Sequence, residues 1–166
     1  KGDPGGLTSM GVSLRFAIAQ VKLHPDQIAL FDIDRDGHID GLDIKGLTQD
    51  QAADVFDVCF WTGAFYGKLS PALVAWKTFD IAVNTGPKRS ALILQTALNA
   101  LGASVKADGA VGAITLAAVA AEAARDQGGA LLASIRREQA DFYRGLAQQK
   151  PALKFFLKGW LNRAAA

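Results

Sequence analysis

The sequence predicts an all-α fold, and three observations support this. Apolar residues recur at helical spacing along most of the chain, as in Leu14, Ala17, Ile18 and Val21, or Leu94, Leu98 and Leu101. Start and stop signals bracket these runs: Thr48 with Gln51, Ser70-Pro71, Gly86-Pro87 and Gly128-Gly129. No alternating apolar-polar run longer than four residues reads as a strand.

Taken in order, Ser13 caps a first helix that His24-Pro25 ends. A polar loop of alternating Asp follows. Thr48 and Gln51 form a capping-box pair and open a helix with Ala52, Val55, Phe56, Cys59 and Phe60 as its apolar stripe. Gly63 and Gly67 then loosen the chain. Ser70-Pro71 reads as an N-cap followed by proline at the first helical position, and that helix runs through Val74, Phe79 and Val83 to Gly86-Pro87. Pro87 starts a helix that Gly102 ends. Residues 103–111 connect, with a turn at Asp108-Gly109. An Ala-rich helix near 113–126 and a longer one to about Gln149 follow, and Pro151 opens a last short helix holding Phe155, Phe156, Trp160 and Leu161. The count is seven helices, with no evident linker and no internal repeat.

Composition narrows the function classes. With 166 residues, half of them apolar, the chain can bury a real core. The longest apolar run, Ala110 to Ala121, holds Gly112 and Thr115 and stops at Glu122, so no membrane span is expected. Cys59 is the single cysteine, which excludes a disulfide scaffold and reads as a core residue. The opening Lys1-Gly2-Asp3-Pro4-Gly5-Gly6 is turn-rich and is no signal peptide. Charge divides unevenly: residues 1–66 carry five Lys/Arg against ten Asp, and residues 67–166 carry thirteen Lys/Arg against six Asp/Glu. The basic part is either a solvated helical surface or a face for an anionic polymer.

The densest motif is Asp32-Ile33-Asp34-Arg35-Asp36-Gly37-His38-Ile39-Asp40-Gly41-Leu42-Asp43. Its carboxylates stand at the first, third, fifth, ninth and twelfth loop positions, with Gly37 where the backbone must turn. This is the EF-hand arrangement, and it predicts one structural calcium ion. The expected ligands are Asp32, Asp34, Asp36, the His38 carbonyl, Asp40 and Asp43. A hard cation needs six or seven oxygens, and alternating carboxylates on a tight loop converge on it. Asp rather than Glu in the last position resembles dockerin loops. A lone hand with one methionine, Met10, does not suit a calcium sensor.

Three further segments together resemble one family. Asp3-Pro4-Gly5-Gly6-Leu7-Thr8-Ser9-Met10-Gly11-Val12-Ser13 is similar to the D-x-G-G-x-T-x-x-G-I-T segment of the glycoside hydrolase 108 N-acetylmuramidases, phage-type and secreted enzymes. Phe79-Asp80-Ile81-Ala82-Val83-Asn84-Thr85-Gly86-Pro87 resembles their F-D-x-x-V-N-x-G-P segment. Asp108-Gly109-Ala110-Val111-Gly112-Ala113-Ile114-Thr115, with Gln95 upstream and Phe156 to Arg163 downstream, is similar to the peptidoglycan-binding portion usually fused to it. Some members also carry an Asp-rich calcium loop here, followed by an aromatic-Trp pair like Phe60-Trp61.

The resemblance implies a lysozyme-like, two-lobed helical domain. Its N-terminal lobe would span 1–69 with the calcium loop at 32–43, and its peptidoglycan-binding lobe 70–166. It implies hydrolysis of the glycan strands of bacterial peptidoglycan by a monomer acting at the cell wall, periplasmic or extracellular, with no nucleic-acid partner. Glycosidic hydrolysis needs one carboxylic acid to protonate the leaving oxygen and a second carboxylate to steady the water. By resemblance, Asp3 is the second carboxylate and Thr8 helps place the water. Read alone, Asp3 serves equally as a turn cap. The family's general acid is a Glu upstream of the Asp that matches Asp3, and this sequence does not contain that segment. Its only glutamates are Glu122 and Glu138, neither in a matching context. The expectation is therefore a processed or truncated muramidase. The alternative is a non-catalytic, calcium-stabilised peptidoglycan-binding module, and a calcium-regulated interaction protein is a third reading.

The remaining candidates have two readings each. Trp61, Trp76 and Trp160 either stack on sugar faces or fill the core. Asn84 either bonds an N-acetyl group or caps its helix, with Asp80 one turn earlier on the same face. Arg163 pairs with substrate or with a buried carboxylate.

Overall fold

In this computed structural model, residues 7–62 and 64–166 are described. The chain divides into two compact units, 1–63 and 64–166. Both are helical, and the only sheet among the described residues is a two-residue hairpin.

The first unit opens with that hairpin, β1 (Thr8–Ser9) and β2 (Val12–Ser13), paired antiparallel with Thr8 opposite Ser13. Met10 and Gly11 both hold positive φ, 48° and 84°, as the tightest hairpin turns require. The φ of Gly11 favours glycine, and a Cβ there would also press on the Phe56 ring at 3.0 Å. Helix α1 (Leu14–Leu23) follows, and Ser13 accepts the Phe16 N–H at 3.2 Å as its cap. A 3-10 turn, Pro25–Leu30, stands where the sequence suggested only loop. Helices α2 (Gly41–Gly46) and α3 (Gln49–Phe56) come after the Asp loop. Val12, Ala17, Phe31, Ile44, Leu47, Ala52 and Val55 form the core. Phe16 stacks on Phe60 and meets Phe31 edge-on beside it.

The second unit holds α4 (Ala72–Thr85), α5 (Pro87–Ala100), α6 (Ala113–Asp126), α7 (Gly129–Gln149) and α8 (Leu157–Ala165). Helix α7 packs against α4, α5, α6 and α8. Val74, Ile81, Leu94, Leu98, Leu131 and Ile135 are all buried in this unit.

Four expectations need correction. A further helix, α2, begins inside the predicted loop, where Asp40 and Asp43 form its capping box. The stripe after Thr48 does not continue as α-helix: Asp57–Trp61 widens into a π turn. Pro71 stands before the first residue of α4 rather than being that residue, and no side chain caps this end. The last helix is in two parts, a 3-10 turn over Pro151–Phe156 and then α8.

Candidate functional site

The Asp loop is folded by its own carboxylates. Asp32 accepts the N–H groups of Asp36 (3.1 Å) and Gly37 (3.0 Å), and Asp36 accepts that of His38 (2.8 Å). Gly37 takes φ +88°, the sharp turn for which its position selects glycine. As a result one oxygen each of Asp32, Asp34 and Asp36 lies within 4.8 Å of the others. Calcium–oxygen bonds of about 2.4 Å let ligands sit up to roughly 4.8 Å apart across one ion, so these three fit a hard cation. The Asp34 carboxyl is held above its ordinary value, first by desolvation and then by the charges of Asp36, Asp43 and Asp32.

Asp43 is held by backbone N–H groups. It is buried, and its two oxygens accept the N–H groups of Ile33 (2.8 Å) and Asp40 (2.7 Å). Asp40 in turn accepts the Leu42 N–H at 2.6 Å. The pair is a reciprocal cap on α2 that also ties the start of the loop to its end.

Of the two residues assigned to hydrolysis, Asp3 lies outside the described residues. Thr8 lies exposed on β1, held by the hairpin register. In the same unit Met10, Gln49, Ala52, Ala53 and Phe56 line a shallow groove of about 350 Å³. Trp61 is half-buried at the end of the π turn, which Thr62 closes by donating from Oγ1 to Asp57 at 2.9 Å.

In the second unit, Asp80 and Arg163 are brought together. Arg163 Nη2 lies 2.7 Å and Nε 3.1 Å from Asp80 Oδ1. Asn84 donates from Nδ2 to the Asp80 carbonyl at 2.6 Å, bonding back along α4. The pair borders a groove of about 290 Å³ that Leu73, Trp76, Lys77 and Arg136 also line. The sequence reading missed this groove, although Leu73, Trp76, Lys77 and Asp80 fall at one-face helical spacing. Lys77 is buried; burial pulls its ammonium below the ordinary value, while the charge of Asp80 acts the other way.

The Asp108-Gly109 turn is built around buried Gln95. Its amide donates to Asp108 Oδ1 (3.1 Å) and the Ala110 carbonyl (3.0 Å), and its oxygen accepts the Gly109 N–H at 2.8 Å. Trp160 stacks between Tyr143, at 5.2 Å, and Phe156, at 5.9 Å. The two glutamates are both engaged: Glu122 Oε1 lies 2.8 Å from Arg125, and Glu138 Oε1 3.8 Å from Arg137.

Comparison with known proteins supplies the family. The chain is similar to SagA of Brucella abortus, with 26% identity over 98% of this chain and 78% of that one and a TM-score of 0.72. No curated protein matches it. A model described as predicted peptidoglycan domain matches residues 89–165. The glycosyl hydrolase 108 model matches residues 1–86, so its border falls at Gly86-Pro87 while α4 packs with the second unit. With half of its length inside that match, the chain belongs to the glycosyl hydrolase 108 family.

Proposed function

We propose that the chain belongs to an N-acetylmuramidase that cuts the glycan strands of peptidoglycan at the cell wall, in the periplasm or outside the cell. The observation that carries this reading is the order of its two halves: a glycosyl hydrolase 108 segment over 1–86 followed directly by a peptidoglycan domain over 89–165. Asp3 is the carboxylate that steadies the attacking water, and Thr8 helps orient that water from β1. The proton for the leaving oxygen comes from a carboxyl other than Glu122 and Glu138, since each of these stands beside an arginine of its own helix in the second unit. Asp32, Asp34 and Asp36 hold one calcium ion, with Asp40, Asp43 and the His38 carbonyl completing the loop. That ion supplies charge neutralisation, not chemistry, and the loop's hydrogen bonds keep the carboxylates converged.

Product analysis tests the bond assignment. Digested wall material is reduced with borohydride, and the new chain ends are identified by mass spectrometry. Reduced muramic acid ends are expected. Reduced glucosamine ends would replace the muramidase reading with a glucosaminidase one. Wall binding without new ends, when the family's Glu-bearing upstream segment is joined to Lys1, would favour a binding module. Two facts would agree with that second outcome: both glutamates stand beside arginines, and the peptidoglycan domain takes most of the second compact unit.

A further inference from the structure

The groove beside Asp80 and Arg163 lies wholly within the second unit and is lined by residues of α4, α7 and α8. Part of its lining is apolar. Leu73 and Trp76, one turn apart on α4, are 67% and 58% exposed, so neither fills the core. Phe79 meets the Trp76 ring edge-on at 6.1 Å and braces it on the helix.

The rest of the lining is basic. Three cationic side chains, Lys77, Arg136 and Arg163, stand against one carboxylate side chain, Asp80. Asp80 is taken by Arg163, and Lys77 gives its ammonium to the Arg163 carbonyl. Arg136 donates from Nη2 to the Ala166 main-chain oxygen at 2.7 Å, while its Nε is buried and finds no acceptor among the described residues. A buried charged donor without an acceptor is costly, so this open guanidinium edge marks a place for an acceptor from outside the chain.

The chemistry of the groove selects its occupant. The edge of a guanidinium presents parallel N–H groups that match the two oxygens of a carboxylate. Leu73 and Trp76 suit an alkyl chain on the same ligand. The peptidoglycan-domain match over 89–165 covers α7 and most of α8, so the polymer to consider is the wall. In peptidoglycan the carboxyl of muramic acid is consumed in the amide that carries the stem peptide, and the free carboxylates belong to that peptide. We propose that this groove binds a carboxylate-bearing stem peptide of peptidoglycan, with Arg136 on the carboxylate and Leu73 and Trp76 on the adjoining alkyl chain. This role rests on the peptidoglycan reading and adds to it that the peptide, not the glycan, is held here. Because α4 falls inside the glycosyl hydrolase 108 match over 1–86, the site draws on both matched segments.

Calorimetric titration of the 166-residue chain tests it with three probes: the stem tetrapeptide L-Ala-γ-D-Glu-diaminopimelate-D-Ala, the same peptide with its carboxyls amidated, and glycan strands stripped of peptide by an amidase. The free peptide should bind, amidation should weaken binding roughly tenfold, and bare glycan should not displace the peptide. Arg136→Gln should also cost roughly tenfold, and Arg136→Lys should not restore the loss, because lysine lacks the fork. Trp76→Ala should weaken binding roughly fivefold. The proposal is overturned if the free peptide does not bind, if the amidated peptide binds equally well, or if Arg136→Gln and Trp76→Ala both keep full binding. The comparison of free and amidated peptide uses the unaltered protein, so it decides the matter even where a variant fails to fold. Purified wall that still binds while the peptide does not would overturn the peptide assignment alone. A bound peptide with no new reducing ends in digested wall would leave this site standing and remove only the muramidase reading.

Discussion

Arg163 is held twice by one turn of α4. Its guanidinium takes Asp80 through two nitrogens, and its own carbonyl accepts the Lys77 ammonium at 2.8 Å. Lys77 and Asp80 are three residues apart, so a single helical face grips both the side chain and the main chain of the last helix. The contact joins residues separated by 83 positions in sequence.

Asp80→Asn removes the charge and keeps the shape. The two side chains are 33% and 46% exposed, so solvent screens the pair, and its bidentate geometry places it near the upper end for exposed pairs. The expected loss is about 1 kcal/mol of unfolding free energy. A double-mutant cycle with Arg163→Gln should return most of that value as coupling. If the two losses simply add, the pair contributes nothing to stability. Wall binding should survive both changes, because the two charges are occupied with each other.

Calcium should stabilise the first unit. Three carboxylates that share a 4.8 Å neighbourhood repel one another until a cation joins them. At calcium one hundred times its dissociation constant, mass action adds about 2.7 kcal/mol. Calorimetry with calcium and then with chelator should show the melting temperature fall. Asp34→Asn should erase most of the difference, and Gly37→Ala should lower stability in both conditions through its positive φ. Identical melting curves with and without chelator would end the calcium assignment.

What was legible in the sequence was local. The Thr48–Gln51 capping box, the Ser13 cap and the Gly86-Pro87 break each concern residues within four positions of one another, and each stands as read. Helix α2 was lost because Asp40 and Asp43 satisfy two patterns at once, a metal loop and a capping box, and spacing alone cannot separate them. The π turn after Phe56 follows no sequence period, since an apolar stripe reads the same through it. The grip of α4 on Arg163 and the stack from Tyr143 through Trp160 to Phe156 depend on which helices meet in space. Periodicity gives each helix its face but not its partner.

Acid should weaken the second unit through Asp108. The Ala110 N–H at 2.9 Å, followed by the Gln95 amide, holds this carboxyl below its ordinary value of 3.8. A carboxyl depressed in the folded state binds its proton less readily there than in the unfolded chain. Its contribution is therefore complete above the ordinary value and disappears as pH falls through the lower, folded one. Melting temperatures followed from neutral pH down to about pH 2 should drop more steeply for the wild type than for Asp108→Asn. Parallel curves would mean that Gln95 and the backbone hold the turn without the charge.

Hydrolysis by residues 1–166 alone should be weak. Both glutamates belong to the second unit, Glu122 on α6 and Glu138 on α7, and each stands beside an arginine of its own helix. A glycosidase of this kind cannot replace its proton donor with water, and general acid catalysis supplies roughly 10²–10⁴-fold in rate. Turbidity clearing of wall suspensions should accordingly be slow, and should recover when the family's upstream segment with its Glu is joined to Lys1. Changing that Glu to Gln should remove the gain, since an amide fills the same space with no acidic proton to give. Asp3→Asn in the extended protein should lower turnover far more than wall binding. Glu122→Gln and Glu138→Gln should leave turnover within about twofold of the extended protein, a difference worth less than half a kcal/mol in transition-state energy. A collapse of activity in either variant would move the acid into the second unit, and the roles assigned to Asp3 and Thr8 would fall with it.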